Sequence, residues 1–411
     1  MEKPADNVSK ILAGSIFLVP ALLLSTPNFS VAIILVTFFV SIYCFIKYRD
    51  SLHLTQFDLL VVAVMLSYTI ANIPVAISDG TTFRYFQGAS RLLLCLPIYL
   101  LFLQLVRKNG TNYFTYYLSV GVITGSISAF LLAIYQYFYL GEYRVDGFLY
   151  SINFGYLACS LVFLSFCLSR VQSRLTSWLY VSFICAVIAT SLTLTRGAIF
   201  AIPVIFLFCI LLDYRKLNIK LISLGLLLTV LGFVGFYNLS TDFKDRVDFT
   251  TIEITSIAKG DIETAESTGD RLQYWMAAIE AFKESPYIGL PYKERESLNH
   301  ELYLNGTIGE RASQVSRGHA HNQYFEMLAS NGIWGILGFC MLLFVPLTIC
   351  SVQYLKTQSN WSYTGAVFIC GFTVYSLTEV PLQANLISAY YGYMIAVFLA
   401  HVSVEKSQKA T

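Results

Sequence analysis

The chain has 411 residues, of which 56% are apolar, 15% aromatic and only 13% charged, and its mean hydropathy is +0.62. Soluble domains carry about 25% charged residues, so this composition excludes a soluble globular enzyme and a disordered chain. With 27 Lys and Arg against 25 Asp and Glu, the net charge of +2 also excludes a nucleic-acid binder that depends on bulk positive charge. The apolar residues lie in many long runs, which indicates a polytopic membrane protein.

The predicted fold is all-α, because a hydrocarbon core about 30 Å thick needs roughly 20 apolar residues per helix and about twelve segments qualify. The first apolar run begins near Lys10 without a small-residue cleavage site, so it is predicted to be a retained span rather than a signal peptide. The candidate spans are 11–28, 30–47, 57–77, 91–107, 114–139, 152–169, 176–194, 197–213, 218–237, 323–354, 361–380 and 384–403.

These spans define three regions: nine transmembrane helices in 1–237, one large polar loop in 238–322, and three further helices with a short tail in 323–411. With both termini in the cytoplasm, the inner connections hold fourteen Lys and Arg residues, the short outer connections hold four, and the loop holds nine. The positive-inside rule therefore predicts that the large loop faces away from the cytoplasm. All nine cysteines fall in apolar runs, so we expect them to be free and buried.

One amphipathic helix is predicted inside the loop, over 270–285. Asp270 is the expected N-cap, and Pro286 follows the end of the helix. The apolar residues recur at helical spacing and form one face, which would lie on the membrane or on the bundle. These residues are Leu272, Trp275, Met276, Ile279 and Phe282.

Two arginines stand at places that suit an anionic ligand. Arg196 lies between two apolar runs, where an arginine either pairs, faces a water-filled cavity or snorkels to the interface, and Gly197 would allow a tight turn. Arg271 would be the first residue of the amphipathic helix, where free N–H groups and the helix dipole favour a phosphate. The alternative for Arg271 is a solvated arginine paired with an acid of the loop.

Two of the five histidines, His319 and His321, lie where the loop returns to the membrane. Histidine is the side chain best suited to accept a proton near neutral pH, so either residue is a candidate general base. A His-x-His pair can also bind a metal, but Glu326 is the one nearby candidate for a further ligand, and we predict no metal and no cofactor. A structural role at the interface is the remaining alternative.

Several segments resemble motifs of the O-antigen ligase/polymerase superfamily, and the resemblance covers about residues 140–340. His321-Asn322, nine residues, Gly332, two residues and Gly335 is similar to the HN-x9-GxxG pattern of the bacterial O-antigen ligases. The other similar segments are 194–198 (the "TRGA" segment), Arg271 with Trp275 and 285–289 (the loop segment), and 147–155 (before the sixth span).

This resemblance implies a GT-C-like membrane glycosyltransferase of the bacterial inner membrane. Such a ligase moves O-antigen from undecaprenyl diphosphate to a sugar hydroxyl of lipid A–core on the periplasmic face, with inversion and without a metal. Arg196 and Arg271 match its diphosphate-binding arginines, and His321 matches the histidine that deprotonates the acceptor. The supporting candidates are His319, which could share the base role, Asn322, Arg317 near the phosphates, and Glu379, which could pair with an arginine or orient a histidine.

Other functions are compatible with the same topology. An O-antigen polymerase shares the carrier, but the HN-x9-GxxG spacing and the single dominant loop favour the ligase. A protein O-oligosaccharyltransferase commonly brings additional soluble mass. A transporter or lipid-carrier flippase would place its sites at the bilayer midplane between two related halves, whereas the polar candidates here gather at one face. A non-catalytic assembly scaffold is the remaining alternative.

Overall fold

The computed structural model describes residues 6–48, 53–214, 234–235, 237–260 and 265–410, and these residues form helices without a β-strand. The N-terminal region contains α1 (Asp6–Ala21), α2 (Phe29–Lys47), α3 (Gln56–Ala71), α4 (Ile73–Asp79), α5 (Gln87–Asn109), α6 (Thr115–Ile134), α7 (Ser151–Ser169), α8 (Thr176–Leu192) and α9 (Arg196–Leu212). The loop region contains α10 (Thr241–Ala258), α11 (Glu266–Glu284), α12 (Tyr292–Leu304) and α13 (Glu310–Ser313). The chain ends with α14 (Gln323–Thr357), α15 (Asn360–Tyr375) and α16 (Asn385–Ala410).

Eight helical segments of the described chain are long and apolar enough to cross a membrane. They comprise α2, α3 with α4, α5 with its preceding turn, α6, α7, α8, α14 and α16, and α9 is apolar but shorter. A multi-pass membrane protein is therefore confirmed. The total of twelve spans stays a prediction, and most of the candidate span 218–237 lies outside the described residues.

Helix α16 forms the centre of the bundle and is buried along its membrane-crossing length. It packs most extensively against α5, and Gly392 permits this contact because a Cβ there would lie 3.0 Å from the Cys95 sulfur. His401 on α16 stacks on Trp361 at 3.7 Å and has a structural role. All nine cysteines are free, as expected, and seven are buried, whereas Cys185 and Cys340 are partly exposed.

The two ends of the bundle differ in their charges. At one end the basic residues of the helix termini pair with acids: Arg107 with Asp58 at 3.2 Å, Lys108 with Asp6 at 2.7 Å, and Arg170 with Asp213 at 2.6 Å. At the other end, which we call the loop end, α2, α5, α7, α9, α14 and α16 begin and α10 to α13 cover the bundle. The candidate site residues lie at the loop end.

The amphipathic helix, α11, differs from its prediction in both its start and its buried face. It begins at Glu266, so Asp270 lies inside the helix and the predicted N-cap is wrong. The carboxylate of Glu253 on α10 accepts the Thr268 N–H at 3.0 Å instead and satisfies the first turn.

The buried face of α11 consists of small residues, Ala277, Ala278 and Ala281, whereas Met276 and Ile279 are 39% and 41% exposed. Alanines allow α11 to approach α14 closely, which large side chains would prevent. Trp275 completes this contact because its indole donates to the Ala320 carbonyl at 3.1 Å and stacks on Phe325. The helix therefore lies on the bundle.

The first glycine of the HN-x9-GxxG pattern, Gly332, allows a close packing contact. Gly332 has φ 61° inside α14, and a Cβ there would lie 2.5 Å from the Tyr287 carbonyl group. The segment 286–290 docks in this kink, where the Ile333 N–H donates to the Pro286 carbonyl at 2.8 Å. Glycine is required because it alone combines a positive φ with this close approach.

Candidate active site

His321 and Glu379 form the centre of the candidate site. The Nδ1 atom of His321 lies 3.0 and 3.2 Å from the two carboxylate oxygens of Glu379, which belongs to the connection between α15 and α16. The Glu379 side chain is only 11% exposed, whereas that of His321 is 33% exposed. The carboxylate thus holds the imidazole from the buried side and leaves its outer edge accessible.

The protonation states of this pair follow from the contacts. Burial alone would raise the pKa of Glu379, but the hydrogen bonds that its carboxylate accepts from His321 and from the Val380 N–H lower that pKa overall. An ionised carboxylate only accepts hydrogen bonds, so Nδ1 of His321 carries a proton, and in the neutral form of the ring the lone pair is on Nε2. Nε2 makes no hydrogen bond to any part of the chain that the structure describes. This is the arrangement that a histidine base requires.

His319 lies beside the pair with a different environment. Its ring is 4.5 Å from that of His321, and its Nδ1 accepts the His321 backbone N–H at 3.3 Å. Its Nε2 is 3.9 Å from Glu379, and burial lowers the pKa of His319. His319 is therefore neutral near pH 7 and supports the backbone of His321.

The residues that could bind a metal differ from those predicted. Ligand atoms of His319, His321 and Glu379 lie within 4.8 Å of one another, a grouping that could hold a metal ion. The prediction that Glu326 is the candidate third ligand is wrong. Glu326 lies one turn into α14 and is engaged by Arg295, while Glu379 arrives from a connection 58 residues away in sequence.

A buried ion pair holds the segment that precedes His321. Arg295 is 2% exposed and donates to Glu326 at 2.9 Å, to Ser330 at 2.5 Å and to the Gly318 carbonyl. Glu326 in turn accepts the Ala320 N–H at 2.9 Å. These contacts stabilise His321 in a left-handed conformation, with φ 47°, which is strained for a residue with a Cβ.

Asn322 and Gln323 join the start of α14 to the segment that carries Glu379. The Asn322 side chain accepts the N–H groups of Tyr324 and Phe325, as an N-cap, and donates to the Leu377 carbonyl at 2.9 Å. Gln323 accepts the Leu382 N–H at 3.1 Å. Asn322 thus positions the site through the backbone, and sequence reasoning missed Arg295 and Gln323, since neither stands out in a motif.

Arg196 occupies the first position of α9 and is engaged by the loop. Its guanidinium pairs with Glu253, which is fully buried, and donates to Thr250 at 3.2 Å and Ser267 at 2.8 Å. The tight turn before it is made by Leu194, with φ 49°, so the role predicted for Gly197 is wrong. Gly197 is needed instead because a Cβ there would lie 2.4 Å from the Thr378 hydroxyl.

Arg271 and Arg196 meet at the start of α11. Ser267, which binds Arg196, lies one turn before Arg271, and Tyr274 lies one turn after it on the same face. The Tyr274 ring is 5.4 Å from the His321 ring. Arg196, Arg271 and His321 are therefore brought together along one face of α11. Arg271 makes no ion pair or hydrogen bond with the described residues, so its guanidinium is available to a ligand.

Arg144 and Arg246 complete a cluster of four arginines with Arg196 and Arg271. Burial lowers the pKa of Arg144, and the charges of Arg196 and Arg271 lower it further. Burial and the charges of Arg196 and Arg144 have the same effect on the pKa of Arg246. Within the described chain, Glu253 is the one carboxylate that pairs with any of the four. This excess of positive charge suits an anion, and its signal in the sequence was Arg144 in a short outer connection.

Arg317 is not part of this cluster. Its guanidinium packs over the Tyr292 ring at 5.8 Å, and its backbone N–H donates to Glu296 at 2.6 Å, so its contacts are with α12. Like His321, it has a positive φ, 61°. Its place in the structure is the turn before His319 rather than the cluster formed by the other arginines.

Comparison with known proteins agrees with this arrangement. A family model described as O-Antigen ligase matches residues 181–340, which include Arg196, Arg271, His321 and the HN-x9-GxxG segment. This match over residues 181–340 supports the resemblance to the O-antigen ligase superfamily. An uncharacterized protein of Haemophilus influenzae is 25% identical over 316 residues, which are 75% of this chain and 76% of that protein. Members of the superfamily are membrane glycosyltransferase-like enzymes, ligases or polymerases, and use lipid-linked glycans.

Proposed function

We propose that the protein is a lipopolysaccharide O-antigen ligase of the bacterial inner membrane, with its active site at the periplasmic face. It would transfer O-antigen from undecaprenyl diphosphate to a sugar hydroxyl of lipid A–core. The observation that carries this proposal is the meeting of a four-arginine cluster and the His321–Glu379 pair along one face of α11. The membrane-crossing helices beneath the site would present the lipid carrier to it.

The proposed reaction needs one displacement. The acceptor hydroxyl attacks the anomeric carbon, the new glycosidic C–O bond forms, and the C–O bond to the diphosphate breaks with inversion. The hydroxyl proton passes to Nε2 of His321, and Glu379 stabilises the imidazolium that results. The leaving diphosphate keeps the electron pair of the broken bond, and the guanidinium groups of Arg196 and Arg271 stabilise its charge.

A polymerase of the same superfamily is the alternative, and the predicted topology favours the ligase. The loop over 238–322 is the single long polar connection of the sequence, and the His321–Gly335 spacing has the ligase form. Deleting the gene and separating surface lipopolysaccharide on a gel tests the choice. Bare core with carrier-linked polymer supports a ligase, core with one repeat unit indicates a polymerase, and a unit stranded inside the cell indicates a flippase.

Glu379→Gln should lower the rate of transfer strongly while leaving the protein folded. The amide keeps the size of the side chain but has no charge to stabilise the imidazolium, and it can donate to Nδ1 and so favour the wrong tautomer. In serine hydrolases the analogous change costs about 10⁴-fold in kcat, and we expect a loss of about 10²–10⁴-fold.

The measurement is the transfer rate of the purified variant as a function of pH. Glu379 has a lowered pKa, so its ionised form should persist in the wild type to a lower pH than that of an ordinary glutamate. A Gln variant with the wild-type rate and pH profile would remove Glu379 from the mechanism.

Transfer should persist in EDTA, although His319, His321 and Glu379 could hold a metal ion. The hydrogen bond between His321 Nδ1 and Glu379 uses the same atoms that a metal would need, and the arginines supply the positive charge at the diphosphate. The assay compares rates before and after chelation. Loss of activity that one divalent ion restores would replace the histidine-base mechanism with a metal-assisted one.

A further inference from the structure

A cavity at the loop end is lined by none of the candidate site residues described above. It has a volume of about 410 Å³ and lies where α2, α7 and α16 begin. This size is within the range of small-molecule sites, about 300–1,000 Å³. We call it the asparagine pocket; it is lined by Asn28, 148–150, Asn153 and 384–387.

The polar side chains of the asparagine pocket are uncharged, and its three amides have no partner among the described residues. The side-chain amides of Asn28, Asn153 and Asn385 make no hydrogen bond within the part of the chain that the structure describes. The first turns of α2 and α7 also have no side-chain cap, so backbone N–H groups remain free there. An amide offers both a donor and an acceptor, which is what a hydroxyl group needs from its binding site.

The apolar part of the lining is aromatic and accessible. Phe148 is 51% exposed and Tyr150 is 81% exposed, and both rings border the pocket. One face of a pyranose ring carries only C–H groups, so it packs against an aromatic ring while its hydroxyls reach polar neighbours. No lining residue carries a charge, so the pocket suits a neutral sugar ring rather than a phosphate.

Two of the helices that line the asparagine pocket adjoin the segment that carries Glu379. Asn153 lies one turn before Tyr156, whose hydroxyl bonds to that of Thr378 at 2.7 Å, next to Glu379. Asn385 follows Glu379 after one short turn, Pro381–Gln383. The four arginines contribute nothing to the lining. A sugar in this pocket would therefore be held by elements that adjoin Glu379 and would lie outside the four-arginine cluster.

We propose that the asparagine pocket binds a neutral sugar of the acceptor glycan and thereby selects which hydroxyl reaches His321. This proposal rests on the proposed transferase function. Asn153 and Asn385 would bond to the sugar hydroxyls, and Tyr150 would pack on its C–H face. These residues would be specificity-determining residues rather than catalytic ones.

The test uses Tyr150→Ala and Asn385→Ala, because both side chains are exposed and neither supports the fold. The rate of transfer is measured against acceptor concentration at saturating donor, and then against donor concentration. Each variant should raise the KM for acceptor about tenfold and leave the KM for donor unchanged. Tyr139→Ala is the control for loss of an exposed aromatic side chain at the loop end, since Tyr139 is 76% exposed but does not line the pocket.

A second measurement is independent of the donor. Dephosphorylated core oligosaccharide, released from the lipopolysaccharide of the host cell, is added to the full-length protein in micelles, and saturation-transfer NMR reports contact. Contact that is lost in both variants supports the pocket. Transfer by the wild type together with an unchanged acceptor KM in both variants would overturn the pocket and leave the proposed function intact. Absence of transfer by the wild type would overturn the function itself.

Discussion

Replacing His321 with alanine should abolish glycan transfer, with a loss of at least about 10²–10⁴-fold in rate. The sugar hydroxyl is a poor nucleophile, and Nε2 of His321 is the free acceptor that faces the accessible side of the site. Because His321 has a positive φ, His321→Asn is the better-matched variant: asparagine tolerates this conformation and has no imidazole. Both variants should lose activity equally. The measurement is a gel of lipopolysaccharide from a deletion strain complemented with each variant, which shows whether O-antigen is attached to the core.

Two other histidine variants give this experiment its controls. His300→Ala on α12 should leave transfer unchanged. His300 is exposed in the same loop, and its ring contact is with Tyr303 rather than with Glu379. His319→Ala should cause a smaller loss than His321→Ala, since His319 supports the backbone through Nδ1. Full activity in His321→Asn would end the assignment of the base, and loss confined to His319→Ala would move it to His319.

Replacing Arg271 with alanine should weaken use of the lipid diphosphate donor by about 10²–10³-fold, the effect of removing one preorganised charge from a transition state. Arg271 makes no ion pair with the described residues, so its removal leaves no buried carboxylate without a partner. Lysine should restore activity only in part, because an ammonium lacks the planar fork that binds two phosphate oxygens. The measurement is transfer against donor concentration.

Arg196 requires a different design because it pairs with buried Glu253. Arg196→Ala alone would leave that carboxylate uncompensated, a change that costs about 3–5 kcal/mol of stability. The double variant Arg196→Ala/Glu253→Gln removes this charge, so it should fold while still failing to use the donor. Lys293→Ala, an exposed change on α12, is the control for loss of one positive charge from the loop. Normal donor use by both the double variant and Arg271→Ala would remove the diphosphate role.

The sequence alone determined the class of the molecule and the order of its parts. Long apolar runs indicate membrane-spanning helices, because inside a bilayer a helix satisfies every backbone polar group within its own segment. Three residues of the candidate site were also singled out from the sequence, because charged and imidazole side chains are rare in such a chain and stand out where they occur. Arg196, Arg271 and His321 were found in this way.

What the local pattern could not determine was the partner of each side chain. The buried face of α11 follows its alanines rather than its large apolar residues, because close packing against α14 rewards small side chains. The start of α11 depends on Glu253, which belongs to another helix. Hydropathy and capping rules use the residues of one segment, so they could not predict the start or the buried face of α11.

The pairing of His321 with Glu379, the burial of Arg295 against Glu326 and the approach of Arg144 to Arg196 likewise join residues that are far apart in sequence. Such contacts arise when helices pack, since a hydrogen bond or ion pair requires only that two groups be close in space. The chemistry of each residue type was therefore legible from the sequence, while the tautomer of His321 and the membership of the arginine cluster were decided by the tertiary structure.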